Sequence, residues 1–174
     1  NNAIAGLSMS GTSALNLAIH HPDFYKAVGS YSGYPVVSAP GFAQGIQVSV
    51  AQMGGNAMNM WGPWPFGQWG MNDPILNAGA LRGTAVYISS GSGAPSTDPT
   101  VNPVSNQFDP VKFAQMVPLE TAACIASRMF VGVLNANGVN PTVHITSQGI
   151  HWWDSWEDRL HESWFSTFAP ALGV

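Results

Sequence analysis

The chain has 174 residues, which suits one domain, and at 45% hydrophobic and 8% charged it can bury a sizeable core. A net charge of −4, with Lys and Arg scattered from Lys26 to Arg159, argues against a nucleic-acid binder, because neutralising phosphates takes a basic face. The single cysteine, Cys124, excludes an intrachain disulfide and reads as a small buried hydrophobe, and no uninterrupted run of about 18 apolar residues predicts a membrane span.

The elements follow in chain order. Ala3 to Ala5 read as the end of a short buried strand, and Gly6 to Ser10 as a corner. From Met9 to His20 the residues Ala14, Leu15, Leu17, Ala18 and Ile19 support a helix that Pro22 stops. "KAVGSYSG" (26–33) is the next strand. Residues 34–80 form a long excursion rich in Trp, Met, Gly and Pro, with short helices; its Met and Trp cluster from Met53 to Met71 reads as core beneath the loop for most members, with a lipid- or sugar-facing surface as the alternative. It is too aromatic for a disordered segment. "TAVYISSG" (84–91) is a strand by its β-branched and aromatic content, followed by a loop. One long helix covers 111–136, with a break expected at Pro118. "PTVHITS" (141–147) is a strand. The chain then closes in an amphipathic helix with Trp156, Leu160, Trp164 and Phe168 on its inward face. Strands alternating with helices predict a mostly parallel α/β sheet with helices on both faces.

The corner carries the first chemistry. Gly6-Leu7-Ser8-Met9-Ser10 stands between an apolar strand and an apolar helix. That is the setting of a nucleophile elbow, in which small residues let the backbone turn sharply under the serine. The amide of the next residue, here Met9, then faces the oxyanion at a helix N-terminus. The usual fifth-place Gly is Ser10 here, which is still small. The bland alternative is a serine capping an ordinary helix.

A serine hydroxyl needs a base, and the chain order of such enzymes is Ser, acid, His. His151 fits, lying after the strand 141–147 and before the final helix. His20 and His21 end a helix, His144 alternates within a strand and reads as a satisfied histidine, and His161 reads as a solvated helix residue. For the acid, Asp98 follows the strand 84–91, with Asp109 behind it. Glu120 sits in the apolar stretch "MVPLETAACIA", where a carboxylate is costly unless paired. No metal-ligand spacing and no phosphate loop occur, so neither a metal nor a cofactor is expected.

Four blocks in order, "GLSMSGTSALNLAIHHPDFYKAVGSYSG", "MWGPWPFGQWGMNDPILN", "GSGAPSTD" and "GIHWWDSWEDRL", resemble the mycolyltransferases of the antigen 85 type and their corynebacterial-type relatives over nearly the whole chain. The resemblance implies an α/β-hydrolase fold, a secreted cell-envelope location, and transfer of a mycolyl chain between trehalose glycolipids or onto arabinogalactan through an acyl-enzyme. It implies Ser8 as nucleophile, the Met9 amide as an oxyanion donor, Glu120 as acid and His151 as base. It also implies Trp153 at the sugar and acyl site, and Ser90 where the family has a cysteine. The family pattern begins with an N-terminal portion that supplies the first strands, a second oxyanion donor, and an Asp and Arg that hold trehalose. This chain is therefore expected to be the C-terminal portion of a single domain (1–174), with that portion a partner. The alternatives are a carboxylesterase of the same fold and a non-catalytic envelope protein that binds extracellular matrix, fibronectin included.

Overall fold

In this computed structural model the described residues are 1–95 and 110–174, so Asp98 and Asp109 lie outside them. Four strands form one sheet in the order β1 (Asn2–Leu7), β2 (Tyr25–Tyr31), β3 (Ala85–Ser90), β4 (Thr142–Ile145). Every neighbouring pair is parallel, with Ile4 opposite Val28, Val28 opposite Val86, and Ile88 opposite Val143. The central strands β2 and β3 are buried along most of their length, which suits their runs of small, β-branched and aromatic residues.

Side chains alternate across the sheet, and each face has its own core. On one face Val28, Val86 and Ile88 meet Ala14, Leu15, Ala18 and Ile19 of α1 (Met9–His20) and Phe130 and Leu134 of α4 (Pro110–Ala136). On the other, Ala27, Tyr31 and Tyr87 meet Trp156 and Phe168. Gly29 makes room there, since a Cβ on it would stand 2.7 Å from the Phe168 ring.

Between β2 and β3 the excursion carries α2 (Phe42–Gln52), α3 (Met58–Trp61) and a 3₁₀ turn (Ala78–Leu81). Buried Asp73 ties its ends: the Val37 and Ser38 amides donate to its carboxylate at 3.1 and 2.8 Å, and the Ser38 hydroxyl donates at 2.5 Å. The expectation that most of its Met and Trp residues are core is corrected. Trp69 is fully buried, but Met53, Met58, Met60 and Met71 are exposed, as is Phe66. No charged residue stands between Lys26 and Asp73, so this part of the surface is neutral as well as partly apolar.

A further expectation changes. Pro118 lies inside α4 without ending it. From Phe113 to Ala136, α4 is long and apolar enough to cross a membrane by length and composition, with a mean hydropathy of 1.4. Here it serves as a core helix, burying Ala123, Ala126, Phe130 and Leu134 against the sheet. Glu120, Ser127 and Arg128 interrupt its apolar run.

The C-terminal segment is α5 (Trp153–Ser163), a π-helical turn (Trp164–Phe168) and α6 (Ala169–Leu172). Trp156 and Phe168 are buried, but Leu160 and Trp164 are about half exposed, and Ser163 and Thr167 are buried in their place. A four-residue step drifts by about 40° around a straight α-helix. Trp164 has thus turned away from the sheet. The π turn inserts one residue and returns Phe168 to the face of Trp156.

Candidate active site

The site lies at the carboxyl ends of the strands, where ligands bind in open parallel sheets. Ser8 separates β1 from α1 and has φ 53°, a left-handed value that is costly for a residue with a side chain. The local sequence holds that turn. A Cβ on Gly6 would stand 2.1 Å from the carbonyl oxygen of Ser10, so only glycine fits before the corner. Ser10 closes it: its hydroxyl donates to the Leu7 carbonyl at 2.7 Å and accepts from the Leu7 amide at 3.0 Å. The residue that departs from the usual glycine thus staples the elbow. The Ser8 amide donates to the Tyr31 carbonyl at 2.8 Å, which anchors the corner to β2. The Met9 amide is the first of α1, where N–H groups have no intrahelical acceptor.

His151 arrives in the loop after β4. Gly93 and Gly149 lock that loop to the segment after β3, with the Gly93 amide donating to the Gly149 carbonyl at 2.8 Å and the Gly149 amide to Ala94 at 2.9 Å. A Cβ on Gly91 would stand 2.6 Å from the Gly149 carbonyl oxygen, so glycine permits this approach. The Nε2 of His151 lies 2.7 Å from Ser8 Oγ, and its Nδ1 lies 2.6 Å from Glu120 Oε2. His151 is 5% and Glu120 1% exposed, so both sit in a low dielectric that strengthens their interaction.

Glu120 comes from the interior of α4. Its buried carboxylate is fully engaged. While Oε2 faces His151, Oε1 accepts from Ser32 Oγ at 2.7 Å, Ser90 Oγ at 3.0 Å and the Gly91 amide at 2.5 Å. Three donors and a histidine supply the compensation that a buried charge requires. Tyr34 closes one side, its ring 6.0 Å from that of His151. Burial first, then the Glu120 charge, push its hydroxyl well above the usual tyrosine range, with a Ser8 hydrogen bond opposing them.

The remaining candidates divide. Trp153 begins α5 and is 62% exposed, its ring edge-on to Trp156 at 5.4 Å; Trp156 in turn meets His151 at 4.9 Å. Ser90 lies directly on Glu120, its hydroxyl 3.0 Å from Oε1. His144 is satisfied elsewhere, its Nδ1 3.0 Å from Glu162 Oε1. Cys124 is buried. Asp98 and Asp109 fall outside the described residues. Sequence reasoning missed Ser32, Gly91, Tyr34 and Trp156 as neighbours of the site. Only the position of "YSGY" at the end of a strand, level with the elbow, hinted at the first.

The parallel sheet, the strand–serine–helix corner and the late histidine define an α/β-hydrolase fold of the serine esterase type. An esterase family model matches residues 1–164, and the chain belongs to that family. It is 33% identical over 168 residues to the diacylglycerol acyltransferase/mycolyltransferase Ag85A of Mycobacterium leprae, covering 92% of this chain and 47% of that protein. To Ag85A of Mycobacterium tuberculosis H37Rv it is 34% identical over 167 residues, covering 92% and 45%. The crystal structure of Mycobacterium tuberculosis MPT51 (FbpC1) matches with a TM-score of 0.74 at 25% identity, covering 92% of this chain and 57% of that one. A ferulic acid esterase, 18% identical with a TM-score of 0.54 over 92% of this chain and 48% of that one, shares the fold alone. The chain spans about half the length of the curated relatives it matches.

Proposed function

We propose that this chain carries the catalytic half of a serine acyltransferase that moves a mycolyl chain between trehalose glycolipids or onto arabinogalactan. The observation that carries the reading is the continuous line Ser8 Oγ, His151 Nε2, His151 Nδ1, Glu120 Oε2, with separations of 2.7 and 2.6 Å at its two hydrogen bonds. Ser8 Oγ attacks the ester carbonyl carbon while its proton passes to Nε2, and the oxyanion takes the Met9 N–H. Collapse breaks the ester C–O bond, and the departing sugar oxygen takes the proton from Nε2. A sugar hydroxyl then attacks the acyl-enzyme carbonyl and gives its proton to His151; the acyl C–Oγ bond breaks, and Nε2 returns the proton to Ser8 Oγ. Glu120 holds the imidazole in the tautomer that leaves Nε2 free to accept. The exposed Trp153 ring offers a flat apolar platform beside this line, suited to a sugar or an acyl chain.

Hydrolysis by the same machinery is the second reading, since Ser8 is only half-buried and water reaches it. The open edge of β1, exposed or half-buried along Asn2–Leu7, is where an N-terminal portion would pair and bring a second oxyanion donor. The relatives' names, diacylglycerol acyltransferase/mycolyltransferase, support acyl transfer, and a cell-envelope location is part of the same proposal. The test is acyl transfer from a trehalose monomycolate to labelled trehalose, alone and with such a portion added. Labelled trehalose ester lost in Ser8→Ala supports transfer; free acid with no ester moves the reading to esterase; neither product, with the portion present, overturns both.

A further inference from the structure

We propose that Trp156 is a positioning residue that holds the acid and the base of this site at the same time. The inference rests on the reading of Ser8, His151 and Glu120 given above. Trp156 is almost wholly buried, and its indole N–H donates to Ser32 Oγ at 2.9 Å. Indole nitrogen can only donate, and a carboxylate can only accept. Ser32 must therefore receive the Trp156 proton and direct its own to Glu120 Oε1, 2.7 Å away. The direction of this short relay is fixed by chemistry, and each bond polarises the next. The same indole meets the His151 ring edge-on, with centroids 4.9 Å apart and planes at 83°. One side chain thus limits the movement of the imidazole and, through Ser32, that of the carboxylate facing it.

Ser32 bears the mark of a residue held for a purpose. Its φ is 48°, and among the described residues the other non-glycine residues with positive φ are Asp23 and Ser8 itself. Glycine would relieve the strain but would supply no hydroxyl. The turn is pinned by the Ser32 amide, which donates to the Ser89 carbonyl at 2.7 Å. Ser90 is the weaker donor to the same oxygen. Its single proton is contested between Glu120 Oε1 at 3.0 Å and the Gly91 carbonyl at 2.8 Å.

The test replaces Trp156 in the full chain with β-(3-benzothienyl)alanine, which keeps the shape and puts sulfur in place of the N–H. Trp156→Phe is the simpler companion. Two quantities are read: the rate at which a fluorophosphonate labels Ser8, and the far-downfield proton resonance of the His151 Nδ1–H bonded to Glu120. The labelling rate should fall on the order of 10- to 100-fold, with the probe's half-saturating concentration unchanged, and the resonance should move upfield. Ser32→Ala should give the same loss, and adding the benzothienyl residue to it should cost nothing more. Phe168→Leu, which disturbs the same core away from the relay, should leave both readouts in place. A benzothienyl variant with unchanged rate and resonance overturns the proposal, as do losses that multiply with Ser32→Ala. Failure of the unsubstituted chain to label at Ser8 overturns the reading of the triad instead; the resonance then still decides whether Trp156 orders the pair, and its absence overturns both.

Discussion

Replacing Glu120 with glutamine keeps the side chain's size and removes its charge, and the surroundings dictate how the amide must sit. Ser32 Oγ, Ser90 Oγ and the Gly91 amide all point donors at Oε1. The amide oxygen must take that place, because an NH₂ group there would face three donors. The NH₂ group is then forced toward His151 Nδ1, 2.6 Å away in the parent, and Nδ1 must become an acceptor. The imidazole proton moves to Nε2, and Ser8 loses its base although every atom stays in place. A wrong tautomer in a triad of this kind costs about 10⁴-fold. Allowing for some escape through rotation of the amide, a loss of 10³- to 10⁴-fold is expected, which is roughly 4–5.5 kcal/mol of transition-state stabilisation. The assay is the second-order rate of phosphonate labelling at Ser8, followed by intact mass, with circular dichroism to show that the variant folds. A folded Glu120→Gln chain that labels within tenfold of the parent would refute the reasoning. An equal or larger loss in Asp98→Asn would move the acid to Asp98.

Ser8→Ala should abolish acyl transfer and leave the thermal unfolding midpoint within a few degrees of the parent; retained transfer would remove Ser8 from the mechanism. Gly6→Ala should destabilise the fold by on the order of 3 kcal/mol, since its Cβ would stand 2.1 Å from backbone at Ser10, and denaturant titration would read this as a lower midpoint. Ser10→Ala should cost about 1 kcal/mol through loss of its bonds to Leu7, with labelling falling in parallel as the elbow loosens. Burial holds the Tyr31, Tyr34 and Tyr87 hydroxyls above their usual range. The unfolded chain then releases these protons first, so stability should be unaffected below about pH 10 and should fall as pH rises beyond it. Tyr87→Phe should flatten that alkaline slope in a urea-midpoint series.

The strands, the corner at Ser8 and the loop that carries His151 were legible because each obeys a local rule. The elbow needs small residues beside Ser8, the strands need β-branched and aromatic runs, and His151 stands in the loop after the strand 141–147. The same rules missed features set by tertiary contact. The C-terminal stripe failed because Leu160 and Trp164 drift off the face, and a π turn, which leaves no composition signal, restores Phe168. Met53, Met58, Met60 and Met71 read as core beneath a long loop, yet they lie exposed in a stretch of sequence without charged residues. Glu120 was one of three open candidates until the family likeness ranked it. What favours it in the structure is the gathering of Ser32, Ser90, Gly91 and His151 around its carboxylate from distant parts of the chain, which periodicity cannot register.

The central claim is that Ser8 is activated by His151 and Glu120. Its most direct test is the intact mass of the chain after exposure to a fluorophosphonate, with the adduct mapped by peptide digestion. The account predicts one adduct, on Ser8, that is absent in Ser8→Ala and forms far more slowly in His151→Ala. No adduct, or one that persists in Ser8→Ala, would contradict it.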